Sequence, residues 1–160
     1  VYKRQHSTSV ASLCQVYCMN TRLKPDQATL AGLVHEIGKL PILSWADDFE
    51  WDEVTIDAVT TALHPEIGHL ILCEWGFPEE LQVVPLHYMD FSREAEAPDY
   101  VDLVTAANLH ALSGKDHPLA HINFAEVTAF ERLGIDIDEV VADAMPEGDT
   151  ESSQNRVATA

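Results

Sequence analysis

At 160 residues the chain is about one domain long, taking roughly 150 residues as a typical domain. Its apolar fraction of 46% is that of an ordinary globular protein, which excludes wholesale disorder, and no apolar run approaches the length of a bilayer span. Twenty-seven Asp and Glu against nine Lys and Arg give a formal charge of −18, which repels phosphate backbones and sets DNA and RNA aside as partners.

Such acidity serves solubility or a salty milieu, or presents a surface to a basic partner. Cys14, Cys18 and Cys73 make an odd number without CxxC spacing, the pattern of reduced thiols and hence of the cytoplasm. Cys14 and Cys18, one helical turn apart, read as small buried side chains. With neither an initiator Met nor a charged-then-apolar leader, the chain is expected to be a piece of something longer that lacks its N-terminal part.

Val10, Leu13, Cys14 and Tyr17 recur at helical spacing, and His6 falls one turn earlier on the same face, so the first helix should carry His6 inward. Pro25 is placed to open a second helix. From Asp26 to Leu43 the positions Leu30, Leu33, Val34, Ile37 and Leu40 predict an apolar stripe, opposed by a row of Gly32, His35, Glu36 and Lys39. Gly32 leaves room there for close approach.

A loop rich in aromatics and acids is expected over Ser44–Asp52, with Trp45, Phe49 and Trp51, followed by a shorter helix over Glu53–Leu63. His64-Pro65-Glu66 should open a new helix reaching Trp75, apolar nearly all round and therefore central, with Gly76 as its stop. The next helix starts at Pro78 and carries Leu81, Val84 and His87, with a kink at Pro85. After the polar loop of Ser92 to Pro98, Val101, Val104, Asn108 and Ala111 define a helix that places an amide on an apolar face. Asn123–Leu133 reads as one more helix, and Asp136-x-x-Glu139 as a capping box before the last. No sustained apolar–polar alternation occurs, so the fold class is all-α with about eight helices: one domain over 1–145 and a disordered tail or linker over 146–160.

The polar residues on predicted interior faces are unusual in type: His6, His35-Glu36, His64, His87 and Asn108, each on a different helix. A lone helical histidine is as a rule a hydrogen-bonded core residue. Imidazoles and carboxylates converging from several helices, by contrast, are how helical bundles build metal sites.

Ala31–Leu40, AGLVHEIGKL, resembles the AGLLHDIGKL signature of the HD superfamily, whose members are mostly metal-dependent phosphohydrolases. The resemblance extends in order through His6, the block HPEIGHLILCEWGFPEEL at His64–Leu81, His87 and Val101–Leu112, over about residues 3–115. The block at His64–Leu81 is particularly similar to the HDOD branch, a signalling-output relative. The resemblance implies metal ligands at His6, His35, Glu36 and Asn108. Two of these differ from the superfamily pattern, since Glu36 and Asn108 stand where the superfamily has aspartates. A carboxylate is thereby lost, which weakens attraction for hard divalent ions and for a pair of metals.

Similarity to the related HD-GYP branch adds His64 and His87 as further ligand positions. A softer ion such as zinc, iron or nickel could then be held by His35, Glu36, His64 and His87. Manganese belongs to the same enzymatic alternative. Lys39 matches the lysine of the HDIGK form, which can meet substrate phosphate; an exposed helix lysine is the plainer reading.

The function this implies is a non-catalytic signal-transduction module, as in two-component signalling, that acts through signalling proteins or fused domains. It needs no cofactor, nucleic acid or membrane and is compatible with a homodimer. The alternatives are a phosphohydrolase acting on a nucleotide or cyclic dinucleotide, with Glu36 and Lys39 as its catalytic pair, and a small-ligand sensor.

Overall fold

The computed structural model describes residues 2–144, with side chains described for residues 5–142. All regular structure among the described residues is helical, as the sequence pattern predicts. The expected tail at 146–160 lies outside the described residues.

Helix α1 (Tyr2–Cys18) buries His6, Val10, Ala11, Cys14 and Cys18, the face that the spacing predicted. It packs on α2 (Pro25–Val34), which opens on Pro25 and turns Ala28, Ala31 and Gly32 inward. A β-carbon on Gly32 would lie 2.5 Å from the Ala11 Cα, so the two helices touch backbone to backbone there.

The helix expected to run on to Leu43 instead stops at Val34. Residues 35–38 form a turn closed by short-range bonds, Ile37 N–H to the Val34 carbonyl (2.9 Å) and Lys39 N–H to the Glu36 carbonyl (2.9 Å). The reason is Gly38, whose absent side chain makes room for helix α4 (Glu53–Glu74): a β-carbon there would lie 2.1 Å from the His64 carbonyl oxygen and 2.6 Å from the Gly68 nitrogen. This turn also divides the predicted apolar stripe. Val34 is buried and Leu30 packs on the core as expected, but Leu33 is 46% and Leu40 63% exposed.

Ser44–Asp48, expected in a loop, belongs to α3 (Lys39–Asp48). Helix α4 runs unbroken over Glu53–Glu74, capped by the Asp52 carboxylate on the Thr55 N–H, with Pro65 in its interior rather than at a start. In the same turn the His64 Nδ1–H donates to the Thr60 carbonyl (2.8 Å). Nor is α4 central: only His64, Gly68 and Leu72, one turn apart, are buried, while Leu70 and Trp75 are mostly exposed. Gly76 does end it, at φ +68°.

The central element is α7 (Tyr100–Leu112), buried at every residue except His110. The predicted kinked helix before it is two short ones, α5 (Glu79–Gln82) and α6 (Val84–His87), with Pro85 in the first turn of the second, where its missing N–H is harmless. Asn123–Leu133 divides into a 3₁₀ turn at Phe124–Glu126 and α8 (Thr128–Leu133). Before α9 (Ile137–Ala144), the Asp136 carboxylate accepts from the Asp138 N–H rather than from Glu139 as the capping box required.

Asp102, buried on α7, ties the far side together. Arg132 on α8 grips its two oxygens, Nε and Nη2 each at 2.9 Å, and Arg93 Nη1 approaches at 3.3 Å. Asp102 also completes a capping box with Asp99. Asp102 is buried while both arginines keep partial contact with solvent, so Asp102→Ala should lower stability by about 1.5–3 kcal/mol in urea unfolding, through the lost charge-assisted hydrogen bonds. Gly38→Ala, which forces backbone apart, should cost about 1–3 kcal/mol or more; a variant as stable as the parent would refute the close approach.

Candidate functional site

The break after Val34 sets His35 and Glu36 against the inward face of α1. His6, His35 and Glu36 then offer ligand atoms that all lie within 4.8 Å of one another. His35 is wholly buried, and its Nδ1–H donates to the Gly32 carbonyl at 2.7 Å. That bond leaves the lone pair on Nε2, which is buried with no partner. On His6 the roles are reversed: Nε2–H donates to Asn108 Oδ1 at 2.9 Å, and Nδ1 is the buried atom without a partner. Two imidazole lone pairs therefore stand unspent beside one carboxylate.

The Asn108 amide is thus not one of the converging donors. It fixes the His6 tautomer from behind, in the manner of the outer partners that orient metal-binding histidines. His64 is buried nearby but engaged, its Nε2 accepting from the Tyr88 hydroxyl at 3.0 Å. The Tyr88 ring lies edge-on to His35, with centroids 5.0 Å apart, so it stands between the two imidazoles. Thr105 on α7 holds the Tyr88 carbonyl at 3.0 Å. His87 does not join this group, being exposed at the end of α6. Lys39 pairs with the Glu36 carboxylate from the next turn.

Tyr88 carried no signal in the sequence, since an aromatic beside His87 reads as core packing. The clasp of Asp102 with Arg93 and Arg132 also went unread, because ion pairs between distant segments leave no periodicity.

Electrostatics follow burial. Desolvation lowers the pKa of His35 from 6.5 to about 4 and outweighs the opposing pull of Glu36. His6 and His64 are lowered chiefly by the same cause. Burial pushes Glu36 upward, but the charges of His35 and Lys39 and the Lys39 hydrogen bond bring it below its ordinary value. With His35 neutral near pH 7, the cation holding Glu36 ionised is Lys39. Burial, then the charge of Glu36, raises Tyr88, which stays a donor. Beside the group opens a cleft of about 430 Å³, with Leu33, Ile37, Leu40 and Leu43 as its apolar wall and Glu36 and Lys39 as its polar one.

These residues fit a single borderline ion with nitrogen and oxygen ligands better than a pair of hard ions, which needs several carboxylate oxygens. His6 Nδ1, His35 Nε2 and a Glu36 oxygen would hold it.

The comparison with solved structures returns a similar fold. The crystal structure of a candidate metal-dependent phosphohydrolase from Shewanella amazonensis superposes with a TM-score of 0.66 over 87% of this chain at 24% identity. At that identity the likeness is one of fold. The chain spans about half the length of that protein, 52%. Residues 3–90 match the family model of the HDOD domain, and the chain belongs to the HDOD family. No curated protein sequence matches it.

The His35 imidazole should remain neutral in solution. Because the unfolded chain takes up this proton below about pH 6.5 and the folded one only near 4, stability should fall as pH drops through that window. Imidazole NMR should show His35 protonated at Nδ1 alone from about pH 8 to 5. A titration midpoint near the ordinary value would contradict its burial.

Proposed function

We propose that this domain is a non-catalytic regulatory module of cytoplasmic signal transduction, acting through protein–protein contacts. The observation that carries this reading is the Asn108 amide bonded to His6 Nε2. Where the resemblance implies a second anionic ligand, a neutral group acts as an orienting acceptor. The remaining carboxylate, Glu36, is neutralised by Lys39. A centre with one compensated carboxylate supports neither a bridged metal pair nor the charge that would activate water for attack on phosphorus. Lys39, engaged with Glu36, is not free to neutralise a polyphosphate, and the net charge of −18 repels such a substrate. In this reading the histidine interior is a polar core that sets the geometry of α1, α2 and α4. No helix among the described residues is long and apolar enough to cross a membrane, which agrees with this reading.

A second reading, metal-dependent phosphohydrolase, is favoured by the two unpartnered nitrogens, His6 Nδ1 and His35 Nε2. An ion held there would supply Lewis acidity toward a phosphoryl oxygen. Glu36 would have to exchange Lys39 for the ion, which would release Lys39 toward phosphate.

Elemental analysis of tag-free protein, followed by a phosphoester and cyclic-dinucleotide panel with added manganese, iron, zinc or nickel, separates the two. The regulatory reading expects no turnover in any metal, whether or not an ion binds. Turnover that is lost in His35→Ala would overturn it.

A further inference from the structure

The segment between Lys39 and Arg93 contains no Lys or Arg at all, while Asp47, Asp48, Glu50, Asp52, Glu53 and Asp57 crowd its first third. In that third, where α3 turns into α4, Trp45 is 60%, Phe49 70% and Val54 80% exposed. Trp45 and Phe49 are one helical turn apart, with the Phe49 N–H bonded to the Trp45 carbonyl at 2.9 Å, so the two rings share an edge of α3. Single exposed apolar residues are ordinary, but neighbouring exposed aromatics ringed by acids are not a solubilising surface.

The turn itself is informative. The Trp51 N–H bonds back to the Ala46 carbonyl and the Glu50 N–H to the Asp47 carbonyl, a helix ending whose pivotal residue adopts the left-handed conformation and is usually glycine. Here it is Glu50, at φ 51°, the one non-glycine residue with positive φ among the described residues. A charge stands where backbone preference alone favours glycine.

We propose that the α3–α4 corner, residues 45–57, docks an arginine-rich segment of a partner protein. Guanidinium groups stack on indole and phenyl faces and bind carboxylates through the same planar fork, which suits this mixture of rings and acids. Charge decides against the other occupants. A second copy of a chain with charge −18 meets like charge, and both nucleic acid and anionic lipid are repelled. None of Asp47, Asp48, Glu50 or Glu53 is paired with a cation among the described residues, so each is available to a partner. The proposal rests on the reading of the domain as an interaction module and names the partner's chemistry.

The test is calorimetric titration of the whole chain, at about 0.15 M ionic strength so that diffuse attraction is screened. The probe is a synthetic peptide of Arg with Leu at every third position; its counterpart with Glu for Arg serves as control. Binding of the Arg peptide alone is expected, weakened about tenfold or more in Trp45→Ser/Phe49→Ser. It should be unchanged in Asp136→Asn/Asp138→Asn/Glu139→Gln, which removes three negative charges outside the corner. Glu50→Gly should weaken the peptide yet raise the urea midpoint, a split that a purely structural role would not produce. No binding of the Arg peptide, or equal loss in the charge control, would overturn the proposal. So would a dimer in sedimentation that Trp45→Ser/Phe49→Ser abolishes, since a second copy would then own the corner. Metal-dependent turnover would defeat the regulatory reading and leave peptide binding intact, so the two ideas fail separately.

Discussion

The contact on which the site depends is the one between Gly38 and the backbone of α4 at His64 and Gly68. Because no β-carbon intervenes, the chain after α2 can dip against α4, and the helix must break to let it do so. The break swings His35 and Glu36 out of the register a continuous helix would impose. Gly32, pressed on Ala11, brings α1 equally close. Two glycines six residues apart therefore hold the histidine-bearing turn between α1 and α4. Of the apolar positions between them, Val34 is buried and Leu33 and Ile37 are left to line an open cleft.

Within that frame the interior is polar but orderly. His35 and His6 each spend one ring nitrogen on a protein acceptor, Gly32 and Asn108, while His64 spends both, on Thr60 and on Tyr88. Asn108 sits in the middle of an otherwise apolar α7, where an unpaired amide would be costly, and its bond to His6 resolves that cost while fixing the ring. The same bond moves Asn108 from the position of a ligand to that of a support.

The far side is fastened differently. Asp102, with Arg93 and Arg132, joins α7 to the loop before it and to α8 through ionised hydrogen bonds rather than close backbone packing. At the α3–α4 corner Trp45, Phe49 and Val54 stay mostly exposed. Its aromatics and acids are free of the core because Ile42 and Ala46, on the other edge of α3, are what α3 buries.

Much of this was legible in the sequence. Helical periodicity placed His6 on the inner face of α1 and Asn108 inside α7, and the run at Ala31–Leu40 marked the family, because these signals are local and depend on spacing along one chain. The sequence misplaced the breaks and the exposed faces. Leu33 and Leu40 looked like core because hydrophobicity suggests burial, yet small residues won the interior where backbones touch. Pro65 looked like a helix start because a lost hydrogen bond usually ends a helix, yet α4 continues through it. Which histidines meet, and that Tyr88 stands between two of them, was decided only when α1, α2, α4 and α7 packed. Such contacts join residues up to 102 positions apart, and no periodicity within a single helix records them.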